Sequence, residues 1–149
     1  MPVLIINEHP DIESTIEHAC QQAGEYLLDS TGNIGSQYSI LLTSDEVVRD
    51  LNRNYRHIDK PTNVLSFPFE MEEVQQLSLI DSSELGDIVI SFDRAAAEAR
   101  DYRCSLQQRL NWLIVHGFLH LLGFDHEKSE EDAEIMYRRE QELLSGIPA

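Results

Sequence analysis

Three histidines, His116, His120 and His126, stand at offsets of zero, four and ten in the run His116-Gly117-Phe118-Leu119-His120-Leu121-Leu122-Gly123-Phe124-Asp125-His126. Residues four apart on a helix share one face, one above the other. Their Cβ atoms are then about 5–6 Å apart, which lets two imidazoles meet one ion at about 2.0–2.1 Å. Gly123 can take the left-handed backbone that ends a helix. The chain can then turn back and bring His126 to the same ion. Three protein ligands with a fourth position left for water is the arrangement of catalytic rather than structural zinc. Zn2+, one ion per chain, is therefore the expected cofactor, although nickel, copper and iron are also tolerated by neutral imidazoles.

The same run lacks a group that the commonest zinc hydrolases need. Peptidases of the H-E-x-x-H type carry a glutamate directly after the first histidine as general base. Here that position is Gly117. Gly123 and His126 fit the longer H-E-x-x-H-x-x-G-x-x-H frame, but Met136 falls in a predicted helix and is a poor methionine turn. The pattern argues against ordinary peptide hydrolysis, and a peptidase or amidase is kept only as an alternative.

A chain of 149 residues, 42% of them hydrophobic, reads as one domain spanning 1–149 with a real core. No apolar run approaches the length of a membrane span. The first residues lack the basic region and cleavage site of a signal peptide and read as a strand. Cys20 and Cys104 are far apart and are expected as reduced, packed thiols of a cytoplasmic protein. The net charge of −16 repels nucleic acid and anionic membranes on average. Its distribution is uneven. No lysine or arginine precedes Arg49, and then Arg49, Arg53, Arg56 and Lys60 fall within twelve residues, on one helical face if the helix runs that far. His9 and His18 are expected on the surface, and His57 on an exposed loop.

The elements that must position these groups follow from pattern. Segment 2–6 is an apolar strand. Pro10-Asp11 opens a helix with Ile12, Ile16, Ala19, Cys20 and Ala23 at helical spacing, ended or interrupted at Gly24. Residues 30–36 form a loop and 38–42 a strand. Thr43 and Glu46 match a capping box for a helix with Val47, Val48 and Leu51 inward. Pro61 stops helical structure, and 63–67 is a strand closed by Pro68. Residues 70–85 are acidic and irregular. Gly86 opens a buried strand over 87–91, and Asp93 caps a helix over 94–102. Ser105 and Gln108 form a second capping box for a helix running to about Leu122. That helix is apolar all round, so it belongs at the centre of the fold. Ser129 caps a last helix with Ile135, Met136, Leu143 and Leu144 inward, ending at Gly146. The order β-α-β-α-β-β-α-α-α predicts an α+β domain, with a four-stranded mixed sheet covering one side of the histidine-bearing helix.

Two segments together resemble the YbeY family, bacterial metal-dependent endoribonucleases of ribosomal RNA maturation. Residues 116–126, read as H-G-x-L-H-L-x-G-x-D-H, look like its signature. The stretch from Leu51 through Arg56-His57-Ile58-Asp59-Lys60-Pro61-Thr62-Asn63-Val64-Leu65-Ser66-Phe67-Pro68-Phe69 is similar to its second motif, and Leu85-Gly86-Asp87-Ile88 to a third. The resemblance implies a zinc site of His116, His120 and His126, a functional arginine at Arg56, and single-strand-specific cleavage of RNA. It further implies work on the 3′ end of small-subunit ribosomal RNA, in ribosome quality control and in late assembly. The implied partners are ribosomal RNA and the small ribosomal subunit or its proteins, with neither DNA nor membrane.

Phosphodiester cleavage builds negative charge on non-bridging oxygens, which a guanidinium stabilises through paired hydrogen bonds. Arg56 is the candidate for that role, and an ion pair with Asp59 is the structural alternative. No general base is evident. Asp125 is expected to orient a ligand histidine, with Asp87 as a second possibility. A non-catalytic assembly factor stapled by zinc is the remaining alternative.

Overall fold

The computed structural model describes residues 2–69 and 84–148. Four strands form one mixed sheet: β1 (Val3–Asn7), β2 (Gln37–Thr43), β3 (Val64–Pro68) and β4 (Glu84–Ser91), in the spatial order β1-β2-β4-β3. β1, β2 and β4 run parallel, and β3 is antiparallel to β4. The helices described are α1 (Ser14–Ser30), α2 (Asp45–Arg56), α3 (Phe92–Asp101), α4 (Leu106–Leu121) and α5 (Glu130–Gly146). The α+β class, the mixed sheet and the element order agree with the sequence reading; the acidic stretch 70–83 lies outside the described residues. None of the described helices is long and apolar enough to cross a membrane.

Strand side chains alternate between two faces, and each face has its own apolar cluster. On one, Leu65 and Val89 pack with Val48 of α2. On the other, Ile40, Leu42, Ile88 and Ile90 meet α4, which also buries Leu110, Leu113, Ile114, Val115, Phe118 and Leu119 against α1, α3 and α5. The helix read as apolar all round is thus central. Gly117 is where it comes nearest to the sheet: a Cβ there would stand 2.8 Å from Cγ2 of Ile88 and 3.2 Å from Oγ of Ser66. Ser66 donates from Oγ to the Gly117 carbonyl at 3.0 Å, tying β3 to α4.

Several local readings shift. α1 begins at Ser14, not at Pro10-Asp11, and runs through Gly24 without interruption. Gly24 is buried, and its carbonyl accepts the Tyr38 hydroxyl at 2.8 Å. The cap of α2 is Ser44, whose Oγ accepts from the Val47 N–H, because Thr43 is buried as the last residue of β2. α3 is capped by Ser91, one residue before the helix. Asp93 instead accepts from the Asp45 N–H at 2.9 Å and serves the start of α2. That contact, with His9 beside it, holds the Asp93 carboxyl below the usual carboxylate range. His9 is correspondingly not a surface residue: its side chain is 7% exposed and packs on Phe92. β4 starts at Glu84, two residues before Gly86. Val47 and Ile135, expected inward, are exposed. The capping box of Ser105 and Gln108 and the Ser129 cap form as read.

Candidate metal centre

α4 carries His116 and His120 in its last two turns, one turn apart. The helix then stops in a defined way. The Gly123 N–H donates to the His120 carbonyl and the Phe124 N–H to the Leu119 carbonyl, each at 3.0 Å. This is the Schellman pattern, and Gly123 takes the left-handed φ of 98° that it needs. Two residues later the Asp125 carboxylate accepts from the Glu127 N–H at 2.8 Å, which shapes the turn around His126.

The result is a cluster of three imidazoles. One ligand nitrogen from each of His116, His120 and His126 lies within 4.8 Å of the others. Nε2 of His116 and Nε2 of His120 are 3.2 Å apart. An ion with tetrahedral bonds of about 2.0–2.1 Å sets its ligand nitrogens about 3.3–3.4 Å apart, close to the spacing of this pair, so the three histidines could hold one metal ion. The electrostatics agree. Two ring nitrogens this close either share an N–H···N hydrogen bond between neutral rings or both face a cation. Burial first, then His116 and His126, hold His120 below its ordinary pKa, against smaller opposing effects of the Phe124 backbone and Asp125. The ring is thereby held neutral, the form in which an imidazole can ligate a metal ion.

The histidines line a cleft of about 650 Å³ together with Arg56, Thr62, Asn63, Ser66, Asp125 and Lys128. Arg56 comes from the end of α2, where His57 closes the helix in a left-handed conformation with φ of 61°. The alternative pairing of Arg56 with Asp59 is not what forms. Asp59 binds Arg49 at 2.9 Å and lies 3.9 Å from Arg53, and Arg49 in turn holds the Asp59 carboxyl below its usual range. Arg53 also pairs with Asp50. The basic run is thus divided, with Arg49 and Arg53 spent on local pairs and Arg56 turned to the cleft.

Among the described residues, neither expected orienting carboxylate hydrogen-bonds a histidine. Asp125 is engaged by the Glu127 backbone, and Asp87 hydrogen-bonds Ser39 on β2. The carboxylate that reaches the cluster is Glu140 of α5, whose Oε1 lies 2.6 Å from Nδ1 of His116. It is buried. The sequence held one sign of it: Glu140 falls on the inward stripe of α5 between Met136 and Leu143, where an acidic residue is out of place. On the other side of His116 the Trp112 ring stacks at 4.7 Å, with the planes 14° apart.

Comparison with known proteins gives a consistent result. The family model described as Endoribonuclease YbeY matches residues 5–148. The Endoribonuclease YbeY of Symbiobacterium thermophilum is 37% identical, over 99% of this chain and 97% of its own. That of Desulfitobacterium hafniense is 38% identical, over 95% of this chain and 88% of its own. A Thermotoga maritima protein whose structure was determined in solution superposes with a TM-score of 0.65 at 24% identity, covering 97% of this chain and 88% of that one, and shares the fold.

Proposed function

This chain belongs to the YbeY family of endoribonucleases, and from that premise we propose that it is a zinc-dependent enzyme that cuts single-stranded RNA in maturation of the small-subunit ribosomal RNA 3′ end. The observation that supports it most is the meeting of His116, His120 and His126 with Arg56 in one cleft. His116, His120 and His126 would hold the ion. When bound, it supplies Lewis acidity toward a phosphoryl oxygen and acidifies water to a pKa of about 7.

The chain supplies the rest. The guanidinium of Arg56 offers paired N–H donors to the non-bridging phosphate oxygens as negative charge grows on them. Lys128 adds a second positive charge to the same cleft. Gly117 counts against the peptidase alternative on steric grounds, because a glutamate there would be driven into Ile88 of β4. The cleft lies between β3 and the turn before α5. With so acidic a chain, docking on the ribosomal small subunit or one of its basic proteins, in the cytoplasm, would bring RNA to the cleft.

The test is cleavage of a small-subunit RNA 3′ fragment, offered as single strand and as duplex, before and after chelation and with zinc restored. The proposal expects cutting of the single strand alone, lost on chelation and regained with zinc. Equal cutting by the chelated protein would contradict the metal, and equal cutting of the duplex would contradict the strand preference.

A further inference from the structure

Glu140 is 5% exposed. Carboxylates are almost never that deeply buried without a partner. The basic residues next to it on α5 are engaged elsewhere, Arg138 with Glu134 and Arg139 with Glu142. What faces Glu140 is Nδ1 of His116, from a different helix and 24 residues away. The opposite constraint on the same ring is Trp112, stacked on its face. Trp112 is itself backed by the Arg109 guanidinium at 4.4 Å. Arg109 is fixed by Glu98 at 2.8 Å. His116 is therefore held by a carboxylate at its edge and an indole on its face. Among the described residues, neither His120 nor His126 hydrogen-bonds a carboxylate.

We propose that Glu140 is the positioning residue of the metal centre, accepting the Nδ1 proton of His116 so that Nε2 presents its lone pair to the ion. A neutral imidazole has one donor and one acceptor nitrogen, and the partner of one nitrogen decides the role of the other. The carboxylate charge also makes the ring a stronger donor to a cation. Without Glu140 the proton can reside on Nε2, and His116 is then lost as a ligand until the tautomer changes. This role rests on the reading of the three histidines as metal ligands.

The experiment is a zinc titration against a competing chelator for wild type, Glu140→Gln and Glu140→Leu, with thermal melts of the metal-free proteins and ring nitrogen NMR of His116. Glutamine keeps an acceptor oxygen without the charge, and leucine removes both. Loss of such a partner typically weakens metal binding by about 10–100-fold. The expected order is wild type tightest, Gln about tenfold weaker and Leu about 100-fold weaker. The wild-type spectrum should place the His116 proton on Nδ1. Equal zinc affinity for wild type and Glu140→Gln, with only the melting temperature moved, would make Glu140 a packing residue and overturn the inference. So would a wild-type proton on Nε2, which decides the matter even if the Leu variant does not fold. A wild type that binds no zinc would instead remove the metal reading itself.

Discussion

Gly117 stands where H-E-x-x-H peptidases carry their base, and its contacts explain why no side chain is there. A Cβ would come 2.8 Å from a branched side chain fixed in a strand. Gly117→Ala gains about 1 kcal/mol of helix propensity, while overpacking costs about 1–3 kcal/mol. The variant should be less stable by up to about 2 kcal/mol, read as a shift of the urea midpoint; a stabilised variant would show that α4 is free to move off the sheet. A second residue-scale expectation concerns Cys20. Burial pushes its thiol up to about 11, with Glu17 adding to the effect and Gln107 opposing it. Because the thiolate is the reactive form, native Cys20 should resist alkylation from pH 7 to 9. In the unfolded chain the thiol ionises from about pH 9, so this group favours folding below that pH and its contribution declines as pH rises from 9 toward 11. Labelling of Cys20 at the rate of an unfolded control would contradict both. At this scale the three histidines and Arg56 were legible as a group from spacing and resemblance. Glu140 showed only as an acidic residue on an apolar stripe, because its link to His116 is made by helix packing, and sequence distance carries no trace of that contact.

At the scale of elements, the site depends on where α4 begins as well as where it ends. Its start is set by the reciprocal bonds of Ser105 and Gln108, at 3.0 and 2.8 Å. Ser105→Ala should cost about 1 kcal/mol of stability and leave zinc affinity within a factor of two, since the histidines lie at the opposite end. A large fall in zinc affinity would mean that the helix end and the metal cluster are coupled. The sequence showed this cap plainly, because serine, glutamine and an apolar run stand in order. It misplaced two others for a physical reason. Thr43-Ser44 and Ser91-Phe92-Asp93 each offer two capping side chains, and burial decides between them. Thr43 is consumed by the sheet, and Asp93 bonds α2 rather than its own helix. Strand β4 was likewise read short because Gly86, with φ of 135°, looked like an entry turn. It is a position where β3 crosses too close for a side chain: a Cβ would overlap the Phe67 carbonyl.

On the scale of the whole molecule, a net charge of −16 surrounds a cleft that holds Arg56 and Lys128. Each phosphate neutralised on a single strand contributes a slope of about −0.7 to log affinity against log salt. Two cations, with Asp125 and Glu127 beside them in the same lining, thus predict a slope no steeper than about −1.4 and weak binding of free RNA at physiological salt. A slope several times steeper would place RNA on a basic surface other than this cleft. The fold class, the mixed sheet and the central helix were visible in hydrophobic period and element order. The charge balance of the cleft was not, since it depends on Asp59 folding back onto Arg49 and leaving Arg56 without an ion pair among the described residues. The account stands or falls on that division of labour between histidines and arginine. The direct measurement is cleavage of the ribosomal RNA 3′ fragment by wild type, Arg56→Glu and His116→Ala, with zinc counted on the same samples. Arg56→Glu should hold one zinc per chain and cut at least 100-fold more slowly than wild type, a loss of about 2.7 kcal/mol in transition-state stabilisation; His116→Ala should lose both metal and cutting. Cleavage by Arg56→Glu at the wild-type rate, with zinc in place, would contradict the account.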